Sequence, residues 1–184
     1  EGIVKIASNE CPLGPSPKAV KAMKSFAREM HRYPDGGAWA LRQKLAAQLG
    51  VKPDEMIFGN GSNEILEFVG HCFLRPGASA VMSEYAFVVY KLISRMFGAE
   101  AIEVPMKRGL LHDLSSMRKA IRPDTGVVFV CNPNNPTSTM LRQAEIDRFM
   151  DRVPEGVLVI FDEAYREICL KKMPDTMKYL KEGR

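Results

Sequence analysis

Histidine, cysteine and tryptophan are scarce in this 184-residue chain, with 3, 4 and 1 copies respectively. His31, His71 and His112 form no H-x-x-x-H or H-E-x-x-H spacing and His71-Cys72 is a poor metal pair, so no metal site is expected. Cys11, Cys72, Cys131 and Cys169 show no C-x-x-C pairing and stand among apolar or strand-forming residues, which reads as reduced core thiols. No run approaches the roughly 18 apolar residues of a membrane-spanning helix, and EGIVKIASNE lacks the basic-then-apolar order of a signal peptide. The expected compartment is the cytoplasm, with no membrane partner. Internal repeats and low-complexity linkers are also missing.

The net charge of +4 comes from 26 Lys and Arg against 22 Asp and Glu, scattered along the chain, so no nucleic-acid footprint is expected. The densest basic stretch, Lys171, Lys172, Lys178, Lys181 and Arg184, reads as a solvated helix face. Composition, 46% hydrophobic and 26% charged, is that of a globular protein.

Ser16 and Pro17 are a good N-cap and first helical residue, and Ala19, Met23, Phe26, Ala27 and Met30 recur at helical spacing. After the turn Tyr33-Pro34-Asp35-Gly36-Gly37, residues Trp39, Leu41, Leu45, Ala46 and Leu49 predict a second amphipathic helix closed by Gly50. From there strand and helix alternate. Strands are expected at Met56 to Phe58, Ser79 to Ser83, Ala101 to Val104, Val127 to Cys131 and Val157 to Phe161. Helices are expected at Ile65 to Leu74, Phe87 to Phe97, Leu114 to Ile121 and Gln143 to Val153. Continuous apolar strands separated by helices imply a three-layer α/β/α fold with a mostly parallel sheet, buried on both faces. In such sheets ligands bind beyond the carboxyl ends of the strands.

Three of the expected strand ends are unusually polar. In GNGSNE, residues 59 to 64, the backbone N–H groups of Gly61, Ser62 and Asn63 stand where a strand hands over to a helix, a seat for phosphate. A plain cap by Ser62 is the competing reading. A dinucleotide fingerprint fits less well, because Glu64 stands where its third glycine belongs. In VCNPNNPTST, residues 130 to 139, two Asn-Pro steps force an extended, turning backbone after a buried strand and present asparagine amides to an oxygen anion. In VLVIFDEAY, residues 157 to 165, Asp162 ends a strand where an ionised carboxylate is costly unless something positive or donating meets it, and Tyr165 follows three residues on. Tyr85-Ala86-Phe87 adds flat aromatic surface. Together these groups fit a ligand with a phosphate, a flat ring, a phenolic oxygen and a protonated ring nitrogen. Pyridoxal 5'-phosphate has all four.

The motifs ASNECPLGPSPKAV, RYPDG, FGNGSNEIL, SEYAFVVY, VCNPNNPTST and VIFDEAY, in this order, resemble the fold-type I pyridoxal-phosphate aminotransferases, and among them the histidinol-phosphate aminotransferase family. The resemblance covers almost the whole chain. It implies that Asp162 pairs with the pyridinium nitrogen, that Tyr165 and Asn135 bond the phenolic oxygen, and that Phe87 stacks on the ring. It implies too that Gly61, Ser62 and Asn63 bind the phosphate, and that Tyr33 reaches the cofactor phosphate of a neighbouring subunit in a homodimer. Residues Asn9 to Gly14 would form a lid over the substrate.

The implied reaction is amino-group exchange between histidinol phosphate and 2-oxoglutarate, giving imidazole-acetol phosphate and glutamate, a step of histidine biosynthesis. The alternatives are a threonine-phosphate decarboxylase, an aromatic aminotransferase, or a fragment without catalytic function. Residues 1–35 are expected to form an N-terminal arm and first helix, and 36–184 an incomplete cofactor-binding large domain without the small C-terminal domain. Two departures from the family stand out. Ser138 replaces a glycine, with modest strain expected if φ is positive there. The lysine that holds the cofactor, which lies in a Ser-Lys segment downstream of DEAY in the family, does not occur here, and the chain alone is expected to be inactive.

Overall fold

In the computed structural model, which describes Gly2 and residues 8–183, the chain divides into two compact units that break between Met56 and Ile57. The first unit holds helices α1 (Pro17–Phe26) and α2 (Trp39–Leu49). Proline starts α1 without loss, since its missing N–H is one that a first turn leaves unpaired anyway. Ser16 precedes it in an extended conformation and makes no side-chain cap bond, so the expected cap is replaced by Pro17 alone. The turn before α2 is tied by Asp35, whose carboxylate accepts from the backbone N–H of Trp39 at 2.7 Å and of Gly37 at 3.0 Å. Those two donors hold the Asp35 carboxyl below its usual range. The Arg42 guanidinium donates to the carbonyls of Pro53 and Met56 and anchors α2 to the segment that follows. The apolar stripes expected to be covered are not: Met23, Phe26, Met30, Trp39, Leu41 and Leu49 are all exposed, and Ala46 is the one buried residue of α2.

The second unit is built on a sheet of four parallel strands, β1 (Ser79–Ser83), β2 (Glu100–Val104), β3 (Thr125–Cys131) and β4 (Leu158–Asp162), in the order β2-β1-β3-β4. Helices α3 (Ser62–Phe73), α4 (Val89–Met96), α5 (Leu114–Ala120), α6 (Gln143–Met150) and α7 (Met177–Lys181) cover it. One face packs Ala80, Met82, Val127 and Phe129 against Leu66 and Val69 of α3 and Tyr90 and Ile93 of α4. The other packs Val81, Val128 and Val130 against Leu114 and Met117 of α5, Ile146 and Phe149 of α6, and Tyr179 of α7. Alternate residues of one strand thus enter two separate cores, which is why these strands read as unbroken apolar runs. Val127, Val128, Phe129 and Val130 are wholly buried, each stabilising the fold by roughly 1.5–3 kcal/mol relative to an exposed side chain. Asp147 of α6 receives Lys178 at 2.7 Å and the Tyr179 hydroxyl, which docks α7; the expected basic helix face is corrected, since Lys178 is paired, Lys171 and Lys172 are exposed but precede the helix, and Arg184 lies outside the described residues.

Several expectations are corrected. Met56 to Phe58 forms no strand: Ile57 is exposed, and no described strand runs beside this segment to complete its hydrogen bonds. The strand β4 is half-buried along its length rather than buried on both faces, because it is the last in the order and has one neighbour. Of the four thiols only Cys131 is a buried core residue, while Cys11 and Cys72 are exposed. The helix expected from Phe87 begins at Val89, and that expected to reach Val153 ends at Met150, both ends being completed by turns. No described helix is long and apolar enough to cross a membrane.

Candidate active site

The chain leaves β1 to form β2 on one side and returns to form β3 on the other, so the strand order reverses between β1 and β3. A crevice opens outside the carboxyl ends of parallel strands at such a point. Those ends carry Ser83, Glu84 and Tyr85 on β1, and Cys131, Asn132 and Asn134 on β3, with Asp162 on β4 next to Cys131 in register. The polar ends of β3 and β4 therefore stand side by side, as their sequences predict.

Asp162 is joined to its neighbours by three hydrogen bonds. The Asn132 N–H donates to its carbonyl at 2.9 Å, the Ala164 N–H to Oδ1 at 3.1 Å, and the Tyr90 hydroxyl to Oδ2 at 2.7 Å. Both carboxylate donors are neutral. Tyr90 comes from α4 and is wholly buried, with its ring stacked on Phe129 at 4.7 Å and 3°. Burial, and then the charges that Cys131 and Asp162 can carry, push its phenol far above the ordinary value, so it is a donor at any physiological pH. Sequence reasoning missed Tyr90. The available signal was a tyrosine among apolar neighbours on the inner face of a short helix, since a buried hydroxyl requires a partner.

The loop after β3 is fixed by its own asparagines. Asn132 is wholly buried and its Oδ1 accepts the Leu141 N–H at 2.9 Å; Asn134 donates through Nδ2 to the Tyr85 carbonyl and to Thr137 Oγ1, both at 2.8 Å. Asn134 thereby ties the β3 end to the β1 end across the switch point. Both Asn-Pro bonds, Asn132-Pro133 and Asn135-Pro136, are cis. Ser138 has φ of 56°, the positive value at which its side chain carries the anticipated strain. Among the described residues, the two buried polar atoms that lack a partner, Asn132 Nδ2 and Asn134 Oδ1, both belong to this loop. Asn135 is half-buried beside them.

His112 fits no metal spacing in the sequence, yet it braces the same edge. Its Nε2 donates to the Cys131 carbonyl at 2.7 Å, which leaves Nδ1 to accept from Ser83 Oγ at 2.6 Å. Burial lowers its pKa, opposed in part by the Cys131 bond, so the ring is neutral as this pattern requires.

The glycine-rich turn reaches this edge through helix direction. The Phe73 carbonyl, at the end of α3, lies against Gly126 at the start of β3, so close that a Cβ on Gly126 would meet it at 2.5 Å. With Leu66 and Val69 packed on the sheet, the first residues of α3 therefore lie toward the carboxyl ends of the strands. Gly61 sits immediately before α3 with φ of 79° and ψ of 178°, a conformation open to glycine alone, and no side chain caps the helix, so the competing reading of Ser62 as a plain cap does not hold. Glu64 instead turns back to accept from the Asn60 N–H at 2.6 Å. Gly61, Ser62 and Asn63 are exposed, and the first amides of a twelve-residue helix are left facing outward with its positive dipole end.

Phe87 is half-buried with its ring edge-on to Tyr90 at 5.7 Å and 86°, while Tyr85 is the more exposed ring. Tyr165 is half-buried before a single 3-10 turn, Arg166–Ile168. Glu163, the second acid of the DEAY motif, is used structurally by Arg166 at 2.6 Å and Thr176 at 2.7 Å. Tyr33 belongs to the first unit and is fully exposed there.

A carboxylate at a strand end, helix-start amides and an asparagine-rich loop thus lie toward one edge of the sheet. The sequence pattern of the family described as aminotransferase class I and II matches residues 1–182, and the chain belongs to that family. A histidinol-phosphate aminotransferase of Akkermansia muciniphila is 49% identical over 182 residues, covering 99% of this chain and 50% of its own length. That of Moorella thermoacetica is 44% identical over 183 residues, 99% of this chain and 47% of its own. The crystal structure of histidinol-phosphate aminotransferase from Sinorhizobium meliloti in complex with pyridoxal-5'-phosphate superposes with a TM-score of 0.85 at 26% identity, covering 91% of this chain and 46% of that one. The chain spans about half the length of the curated relatives it matches.

Proposed function

We propose that the whole protein is a pyridoxal-phosphate-dependent aminotransferase that exchanges an amino group between histidinol phosphate and 2-oxoglutarate in histidine biosynthesis. The observation that carries this reading is Asp162: an acid at the end of β4, oriented by Tyr90 and Ala164 and bonded through its carbonyl to the asparagine loop of β3. The relatives at 44–49% identity favour this substrate over threonine phosphate or aromatic amino acids.

The donor set fits the cofactor. Asp162 would accept a hydrogen bond from the protonated ring nitrogen and so keep the proton, and the positive charge, on the ring. Ser62 and Asn63 would hold the phosphate through backbone amides at the start of α3, while Gly61, whose own N–H donates to the Gly59 carbonyl at 2.9 Å, gives the turn its shape. Phe87 would cover one face of the ring, and Asn135 and Tyr165 would donate to the phenolic oxygen. When bound, the cofactor supplies the carbonyl that carries the amino group and the electron-poor ring that stabilises negative charge. The lysine that such chemistry requires would come from the remainder of the protein. Tyr33 would contribute from the partner subunit of a homodimer, and the protein would work in the cytoplasm.

The test uses the full-length protein with histidinol phosphate and 2-oxoglutarate, following both products. Asp162→Asn should still bind pyridoxal phosphate but lose about a thousandfold in kcat, equivalent to about 4 kcal/mol of transition-state stabilisation. Normal turnover by that variant removes the role of Asp162. Release of carbon dioxide from phosphothreonine by the wild type would replace the substrate reading with the decarboxylase.

A further inference from the structure

The Tyr90–Asp162 hydrogen bond links a core side chain to the proposed cofactor carboxylate across 72 positions of sequence. The partner could have been any nearby carbonyl, which would satisfy the hydroxyl equally well. A tyrosine that meets a charged group is a different device, because hydrogen bonds to charges are the strong ones and fix both partners.

The Tyr90 ring cannot move easily. It is wholly buried, stacked in parallel on Phe129 at 4.7 Å and met edge-on by Phe87 at 5.7 Å, and it hangs from a helix rather than a loop. Its hydroxyl is therefore a fixed point from which the half-buried Asp162 takes its direction. Each carboxylate oxygen receives one donor, Tyr90 on Oδ2 and Ala164 N–H on Oδ1, which sets the rotation of the group. An ionised carboxylate has about four acceptor positions, so two remain for a ring N–H.

We propose that Tyr90 is a positioning residue for the cofactor: it touches neither ring nor substrate, and acts by holding the Asp162 carboxylate in the one orientation that meets the pyridinium nitrogen. This rests on the pyridoxal-phosphate reading above. Phe87 extends the device, since the side chain proposed to lie on the ring packs against the tyrosine that aims the acid. Ring face and ring nitrogen are then registered to the same buried side chain.

The experiment is a double-mutant cycle in the full-length protein, read as the pyridoxal phosphate dissociation constant by fluorescence titration. Tyr90→Phe keeps the ring and its stacking on Phe129 and removes only the hydroxyl. Cofactor affinity should fall about tenfold, the low end for a hydrogen bond to a charged group. In an Asp162→Ala background the same substitution should change affinity by less than about twofold, because the group it orients is gone. In the otherwise wild-type protein, Tyr90→Phe should lower kcat with KM for histidinol phosphate unchanged. An equal loss in both backgrounds would make Tyr90 a purely structural residue, and no loss in either would remove the proposal. A wild-type protein that binds no pyridoxal phosphate would instead overturn the functional reading, and this inference with it.

Discussion

Val128 and Val159 face each other across the β3–β4 ladder and point into the same core, yet the first is wholly buried and the second half-exposed. Residue type and sheet face are the same. What differs is the number of neighbours: β3 has a strand on each side and β4 has one. Apolar sequence states that a strand is meant to be covered, whereas position in the sheet decides how far it is covered within this chain. The same contrast shapes the two polar strand ends. Asn132 and Asn134 after β3 are locked in a buried network, while Asp162, Glu163 and Tyr165 after β4 stay partly accessible. A rigid loop thus stands beside a reachable acid.

Substitutions in the two strands can break this contrast. The largest effect is expected at Phe129, which packs on Tyr90 in the centre of β3: Phe129→Ala should cost about 3–5 kcal/mol, measured by chemical denaturation. Next comes the matched pair. Val128→Ala should cost about 2 kcal/mol or more, from lost methyl burial plus a cavity, and Val159→Ala under about 1 kcal/mol. Equal values would mean that β4 is as well packed as β3 and that the exposure difference has no energetic content.

A smaller effect tests the brace between the β1 and β3 ends. His112 has its pKa lowered from 6.5 by burial, so below about pH 6.5 the unfolded chain takes up a proton that the folded chain refuses. Stability should be level above that pH and decline below it by at most about 1.4 kcal/mol per pH unit. His112→Gln should abolish this part of the slope in denaturation curves recorded between pH 5 and 7. The smallest effect is at Ser138 in the β3 loop, where φ is 56°. Replacement by glycine should stabilise by about 0.5–1 kcal/mol in the same assay, through relief of left-handed strain.

The strand–helix alternation was legible because each strand is short, apolar and bounded by glycine or proline; Ser79 to Ser83 was read to the residue. Met56 to Phe58 differs from its expected strand for the reason that separates Val128 from Val159: a β-forming run states a propensity, and a strand exists only where another one accepts its hydrogen bonds. The exposed side chains of α1 and α2 belong to the same class, since periodicity predicts an apolar face but not what covers it. At the site, Asp162, the asparagine loop and the α3 turn stand out in the sequence as polar residues at element ends, although the structure uses Asn132 and Asn134 to hold the fold itself. Tyr90 and His112 do not stand out, because each looks like core filling until its partner is known. Those partners lie far away in sequence, 72 positions for Tyr90 and 29 for the Ser83 end of the His112 brace.

Gly126 has a use beyond the strand it belongs to. With the Phe73 carbonyl resting on it, the base of β3 is a stop that seats α3 lengthwise. Any side chain there would have to displace the Phe73 carbonyl and the helix end that carries it, and a rod passes such a shift on to its opposite tip. The amides of Ser62 and Asn63 would then be carried out of alignment with the acid at β4, although nothing near either had been altered. How accurately the proposed anion cradle would be aimed is thus settled at the far end of the domain, by the absence of a single methyl group.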